Sequence, residues 1–224
     1  MHWPIAPDAL RPLVPAPLSL DLFQGVAYVS LVLFVVEAAR PLGAPRNLGL
    51  RFLETNVRTY VHLRGREPGV YFFSLDAASA IAVLGARLGL GLPYFVARGR
   101  LRPSLAPWER VGVTGDDYRL RSLGKAPGAC QVAYEVGQPL GPAEPGSLDF
   151  FLIERYVLHA RRGPSLWSVQ VHHQPYPLHG VQVTQLAQSL TDANGLPPLD
   201  GRQLAHFASG VDVAIFAPRV RLLR

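Results

Sequence analysis

Residues 52–61, FLETNVRTYV, alternate with the two-residue period of a β-strand, and the alternation separates two chemistries. One face carries Phe52, Glu54, Asn56, Arg58 and Tyr60; the other carries Leu53, Thr55, Val57, Thr59 and Val61. Neighbours on one face stand about 6.6 Å apart, so an acid, an amide, a guanidinium and a phenol form a single row. Such a row is either a solvated sheet face with a cross-strand ion pair or the polar lining of a cavity. Phe52 and Tyr60 bracket the polar trio on its own face, which favours a cavity. Thr55 and Thr59, however, interrupt the apolar face behind it, and the pattern leaves both readings open.

Prolines and glycines, 21 of each in 224 residues, punctuate the whole chain and leave no separate linker, so one domain over 1–224 is expected. Alternating or apolar runs predict strands at 24–36, 51–63, 70–75, 94–101, 109–114, 118–123, 129–136, 149–160, 166–173 and 205–216. Turns fall at 65–69, 114–117 and 124–128. One helix is expected over 77–88, capped by Asp76, with Ile81, Leu84 and Leu88 on one face and the glycines at 89 and 91 as its stop. A second, weaker helical pattern occupies 184–191. Many strands and few helices predict a mainly β (β-rich α+β) fold, an antiparallel barrel or sandwich with one inserted helix.

The single cysteine, Cys130, allows no intramolecular disulfide and no paired-cysteine metal site, which fits a reducing cytoplasm. The first fifteen residues lack the basic and apolar regions of a secretion signal, and the apolar run at 26–36 is too short to span a bilayer. A soluble cytoplasmic protein without a membrane partner is therefore expected. The net charge of +6 rests on 21 scattered arginines and one lysine, Lys125, with no basic arm or nucleic-acid motif. No nucleic-acid partner is expected. The adjacent His172 and His173 would face opposite ways on a strand, and no HxH or HExxH spacing exists, so no metal is expected. His173 and His206 remain candidates only as single residues bordering a cavity. Cofactor motifs are equally lacking: GLGLP at 89–93 follows a helix, the wrong context for phosphate, and no cofactor is expected.

The row itself offers anion recognition and acid–base chemistry. Arg58 is a planar fork suited to a carboxylate. A buried Glu54 paired with Arg58 or another arginine would stay ionised; without such a partner, desolvation would raise its pKa into the range useful for proton transfer. Ser74 and Asp76 read as sharing one face of the next strand with Val70 and Phe72, with Asp76 either a helix cap or a residue at the border of a ligand site. Glu154 and Arg155 would face opposite sides of a strand, one of them inward.

Segments spread over nearly the whole chain, among them WPIAPDALRPLVP at 3–15, DLFQGVAYVSLVLF at 21–34, FLETNVRTYV, GVYFFSLDAASAIAV at 69–83, FLIERYVLHA at 151–160, HQPYPL at 173–178 and HFASGVDVAIF at 206–216, resemble the YqjF-like family of bacterial proteins of unknown function. That family is similar in fold to acetoacetate decarboxylase. The resemblance implies a closed, mostly antiparallel β-barrel with a central cavity, and so favours the cavity reading of the row. In the decarboxylase a lysine just after a proline forms a Schiff base with the keto acid, and a nearby glutamate serves the site. Here Leu92-Pro93-Tyr94-Phe95 carries Tyr94 where that lysine is expected, and Glu54 is the candidate for the retained acid. A tyrosine cannot form an imine, and Lys125 lies in the turn-like SLGKAPG, where a solvated, protonated amine is expected.

The resulting expectation is a barrel that binds a small carboxylate or carbonyl compound. Asn56 and Arg58 would grip it, Glu54 would polarise or deprotonate it, and Tyr60, Ser74, Asp76 and Tyr94 would complete the ligand site. Lyase-type or enolising chemistry is the nearest analogy; a non-catalytic ligand-binding or sensory module is the alternative. A homo-oligomer is compatible with either.

Overall fold

The row is embedded in sheet on both sides, because strands of similar length flank it. The computed structural model describes residues 1–41, 43–102, 116–123, 127–199, 201 and 203–223, with side chains described for all of these except 102 and 116–118. The expected strand at 109–114, and Lys125, lie outside the described residues. In chain order the elements begin with β1 (His2–Ile5), α1 (Pro7–Leu10), β2 (Leu18–Leu20), β3 (Ala27–Ala39), β4 (Leu50–Leu63) and β5 (Arg66–Ala77). Helix α2 (Ala80–Gly89) leads to β6 (Tyr94–Arg102), β7 (Asp116–Ser122) and β8 (Ala129–Gly141). There follow α3 (Leu148–Ile153), β9 (Val157–Arg162), β10 (Ser165–His172), β11 (Leu178–Gln188), α4 (Leu190–Ala193), β12 (Phe207–Ala208), β13 (Ala214–Ile215) and β14 (Arg219–Leu222).

The chain is mainly β, as expected, but the sheet is not a closed barrel. Among the described residues the main ladder runs β1-β3-β4-β5-β6-β7-β8-β11-β12 and ends without returning to β1. Nor is it wholly antiparallel, since β5 pairs in parallel with both β6 and β9. The sheet forks at β5. Residues 70 and 71 pair with β9, whereas residues 75 to 77 pair with β6. Between them the β4–β5 register slips at Phe73, where Val57 pairs with Ser74 but Arg58 pairs with Phe72. A bulge of this kind bends its strand and sharpens the local twist, which lets the two ends of β5 join different partners. Helix α2 is the crossover that returns the chain parallel to β5.

Local chemistry moved several expected boundaries. Asp76 does not cap α2, because it is still paired within the sheet, with Thr55 and Phe95. Ser79 is the cap instead, its hydroxyl accepting the Ala82 N–H at 3.3 Å. The stripe Ile81, Leu84 and Leu88 points outward, 72, 61 and 65% exposed, while Val83 is the residue buried against Phe52 and Ala77. The strand expected at 149–160 opens as α3, whose cap Ser147 accepts the Phe150 N–H at 3.1 Å. The helical pattern at 184–191 is mostly strand β11, with α4 only after it, and 205–216 holds two short strands rather than one long one.

Two apolar clusters lie on opposite faces of β4. Val57 packs with Leu31, Cys130, Val132 and Leu190, whereas Tyr60 packs with Phe72, Leu75, Leu92 and Leu152. Each fully buried aliphatic side chain contributes roughly 1.5–3 kcal/mol, so both faces are anchored and a one-residue slip of β4 is strongly disfavoured. Among the described residues no helix is long and apolar enough to cross a membrane.

Candidate functional site

Strand β4 holds the row in an interior and not on a solvated face: Glu54 and Asn56 are each 3% exposed and Tyr60 is fully buried. Residues paired across a ladder share a side of the sheet, so the register assigns every candidate to a face. Leu75 pairs with Asn56 and with Tyr94, which puts Tyr94 on the face of the row. Its hydroxyl donates to Glu54 Oε2 at 3.0 Å. Gly91 aims this segment: it has φ of +67°, and a Cβ there would strike the Trp167 ring. Glu54, Asn56, Arg58, Tyr60 and Tyr94 therefore lie on one side.

Ser74 and Asp76 lie on the other. Ser74 pairs with Val57 and Asp76 with Thr55, because the extra residue at Phe73 shifts the alternation by one. Val70 and Phe72 stay with Tyr60, so the expected sharing of one face by all four residues does not hold. Behind the sheet the two form their own network. Ser74 donates to Asp76 Oδ2 at 2.9 Å, the Asn194 amide donates to Ser74 at 3.0 Å, and Ser122 hydrogen-bonds Asp76. Burial raises the Asp76 pKa against the pull of Ser122 and Ser74.

On the row face burial likewise pushes Glu54 up, to about 8; the Tyr94 hydrogen bond opposes this and the Asp76 charge adds to it. Burial is thus the largest influence on the Glu54 carboxyl. Tyr94 is itself raised well above the usual phenol range by burial and by Glu54. Arg58 donates to the Leu152 carbonyl, at a long 3.4 Å, and hydrogen-bonds the Tyr60 hydroxyl. It makes no ion pair with any described residue, and its Nε is buried without a partner. The buried Oδ1 of Asn56, next along the row, also has no partner among the described residues.

Tyr60 is committed to structure. Its hydroxyl donates to Leu152 O at 2.8 Å and lies 2.6 Å from Ser30 Oγ and 3.1 Å from His2 Nδ1. His206 stands edge-on to His2 and 2.9 Å from Asp149 Oδ1. No group of metal-ligating side chains exists among the described residues. An open cleft of about 300 Å³ around Pro4, Ile5 and Val26 shares no residue with the row and has no ionisable lining.

The sequence named Glu154, Arg155 and His173 but expected only one of the first two inward, and it did not single out Tyr156 or Tyr176. After α3 the chain is not a strand, so alternation does not apply and Glu154 and Arg155 are both buried. Arg155 pairs with Asp21 at 2.6 Å and lies over the rings of Phe151 and Tyr60. Glu154 holds Tyr156 and Tyr176, with His173 between their rings. The signals available were two adjacent charges in an apolar run, FLIERYV, and the constrained Pro-Tyr-Pro at 175–177.

Residues 1–212 match DUF2071, described as an uncharacterized conserved protein. The chain belongs to the DUF2071 family. It is 36% identical over 221 residues to the uncharacterized protein YqjF of Bacillus subtilis (strain 168), a match covering 97% of this chain and 87% of that protein. Among solved structures it is similar to the enduracididine biosynthesis enzyme MppR complexed with pyruvate, at a TM-score of 0.55 and 16% identity, covering 100% of this chain and 86% of that one. An acetoacetate decarboxylase-like enzyme from Sphingomonas wittichii RW1 matches at a TM-score of 0.54 and 14% identity, over 98% of this chain and 83% of the other. At those identities the likeness establishes the fold alone: this DUF2071 chain has an acetoacetate-decarboxylase-like fold.

Proposed function

We propose that this DUF2071 protein binds a small carboxylate, with an α- or β-keto acid as the substrate class, on the Glu54–Arg58 face of β4. One observation carries the reading: Arg58 is a largely enclosed guanidinium with no carboxylate partner among the described residues and a buried, unpaired Nε. A part-buried charge without a counter-charge carries a desolvation cost, and a ligand carboxylate would offset it through two parallel N–H···O bonds. Asn56 would orient the ligand. Glu54, holding its proton up to about pH 8, would donate to a carbonyl oxygen or, once ionised, take a proton from the adjacent carbon. The fold shared with MppR, which has been seen with pyruvate, supports this ligand class.

Tyr94 stands where a Schiff-base nucleophile is expected, and a phenol has no amine to form an imine, so the chemistry in this reading is enolisation or carbonyl polarisation. The same feature favours the second reading, a non-catalytic binding or sensory module. A cytoplasmic setting, with Cys130 as a buried free thiol, fits both.

Calorimetric titration of the full chain with pyruvate and acetoacetate tests the site. Arg58→Gln is expected to weaken binding on the order of 100-fold, the cost of removing one partner of an enclosed charge pair. Equal binding by Arg58→Gln, or no binding of either acid at millimolar concentration, overturns the proposal. Deuterium exchange at the pyruvate methyl, followed by NMR, separates the two readings: exchange lost in Glu54→Gln with binding retained marks an enzyme, and no exchange in the wild type marks a binding module.

A further inference from the structure

Helix α2 is apolar on the side that faces away from the protein. Ile81, Leu84, Gly85 and Leu88 follow at three- and four-residue steps and so share one face, and the three large residues are 72, 61 and 65% exposed. Val83, on the opposite face, is buried against Phe52 and Ala77. Ala77 pairs with Glu54 and Phe52 alternates with it, so α2 covers the row side of the sheet beside Glu54. A surface helix ordinarily turns its charges outward. The one charge on α2 is Arg87, and it is folded back on its own chain: its Nε donates to Tyr94 O at 2.6 Å and its guanidinium lies over the Phe95 ring at 5.3 Å. The apolar surface also continues past the helix. Val96 pairs with Ala77, the Leu123 N–H donates to Val96 O, and the two side chains are 36 and 51% exposed.

The described residues leave this face uncovered, and its residue order says what fits it. Ile81 and Leu88 lie about 5 Å along the helix axis on either side of the midpoint between Leu84 and Gly85. An antiparallel copy of α2, related by a twofold axis through that midpoint, sets Ile81 against the partner's Leu88 and Leu88 against the partner's Ile81. Leu84 then meets its own counterpart. Gly85 stands beside that contact, and a Cβ there would touch nothing in its own chain. A glycine inside a helix weakens it, and no packing within the chain requires this one; in the pair it lets the two helices close. With Val96 and Leu123 the contact takes in five apolar side chains per copy, on the order of 1,000 Å² in all, the lower end for a specific interface. No acid lies on α2 and Arg87 already has its partners, so the pairing strands no charge.

We propose that α2 is a homodimer contact, in which two copies of this chain pair antiparallel through Ile81, Leu84 and Leu88 about a twofold axis beside Gly85. The same contact presses α2 onto Phe52 and Ala77 and steadies the cover over the Glu54 end of the row. At this size the dimer is weak, half-formed at roughly tens of micromolar. It does not depend on the carboxylate site.

Sedimentation velocity of the full chain, from about 1 to 300 μM, tests this, with monomer expected at the low end and dimer at the high end. Leu84→Glu, at an exposed position that leaves folding intact, sets two carboxylates against each other and should weaken the dimer about 100-fold or more. Crosslinking reads the register. Leu84→Cys should form an intermolecular disulfide on mild oxidation because its counterpart faces it. Ile81→Cys should not, because the two copies of position 81 stand about 10 Å apart along the axis, beyond disulfide reach. Cys130, 1% exposed, stays out of the reaction. A chain that remains monomeric throughout, a dimer untouched by Leu84→Glu, or equal crosslinking at positions 81 and 84 overturns the pairing. Capture of a monomer by phosphatidylglycerol vesicles, lost in Leu84→Glu and with no dimer in solution, assigns the face to a membrane surface and overturns it too.

Discussion

Arg58 and Arg155 both contact Tyr60, yet they are held in opposite ways. Arg155 is finished by the protein: Asp21 supplies its counter-charge at 2.6 Å, Phe151 O accepts from its Nε at 2.8 Å, and two rings cover its guanidinium. Arg58 has one long bond to a carbonyl, a hydrogen bond with the Tyr60 hydroxyl and, among the described residues, no acceptor for its buried Nε. The acids differ in parallel. Asp21 sits on its arginine, whereas Glu54 stands two positions beyond Asn56 and is hydrogen-bonded by Tyr94. The contrast teaches that this fold can neutralise an enclosed arginine where stability demands it. At Arg58 that capacity is left unused, and the carboxylate site proposed above rests on that difference.

The comparison breaks most visibly in stability. Arg155→Met should strand Asp21 and lower the unfolding free energy by about 3 kcal/mol, the low end for a broken buried pair because Asp21 is partly solvated. Urea denaturation measures this, and a loss below about 1 kcal/mol would make the pair ornamental.

Next in size is the pH response of Glu54. Its folded pKa of about 8 lies above its ordinary 4.5, so between those values the native state holds a proton that the unfolded chain has released. Stability from this group is complete below about pH 4.5 and is lost as pH rises to 8. The slope of stability against pH amounts to a loss of about 2 kcal/mol between pH 6 and 8. Glu54→Gln should flatten that slope and be the more stable protein at pH 8; an unchanged slope would assign it to another group.

The smallest expected effect is the most discriminating. Arg58→Met removes an enclosed charge that no carboxylate balances, and should leave stability unchanged or raise it by up to about 1 kcal/mol. A loss matching that of Arg155→Met would show that Arg58 is structural after all.

The row was legible because two-residue alternation survives whichever neighbours β4 takes, and residues 52 to 61 keep it without interruption. Tyr94 came with it through the Leu-Pro-Tyr-Phe segment of the family resemblance. The placement of Ser74 and Asp76 was not legible. A bulge depends on how two strands fit, and the sequence VYFFSLDA shows no sign that Phe73 is supernumerary. The open, forked sheet was hidden for the same reason, since β5 shares its edge between two partners far apart in the chain. Nor does periodicity say what faces an apolar stripe: Ile81, Leu84 and Leu88 have helical spacing, yet they point to solvent. Tyr176, and the burial of both Glu154 and Arg155, stayed obscure because these residues lie in connections outside the regular elements, where no period operates.

The bulge at Phe73 also keeps two carboxyls from facing one another. In unbroken register Asp76 would stand directly across from Glu54, two carboxyls as cross-strand neighbours about 5 Å apart at Cβ. Such a pair shares a proton and titrates as one unit. One residue of phase shift puts Ala77 opposite Glu54 and sends Asp76 through the sheet. A would-be dyad becomes two acids on opposite sides of a single strand, where the Asp76 charge still adds to the rise in Glu54 but no proton is shared directly.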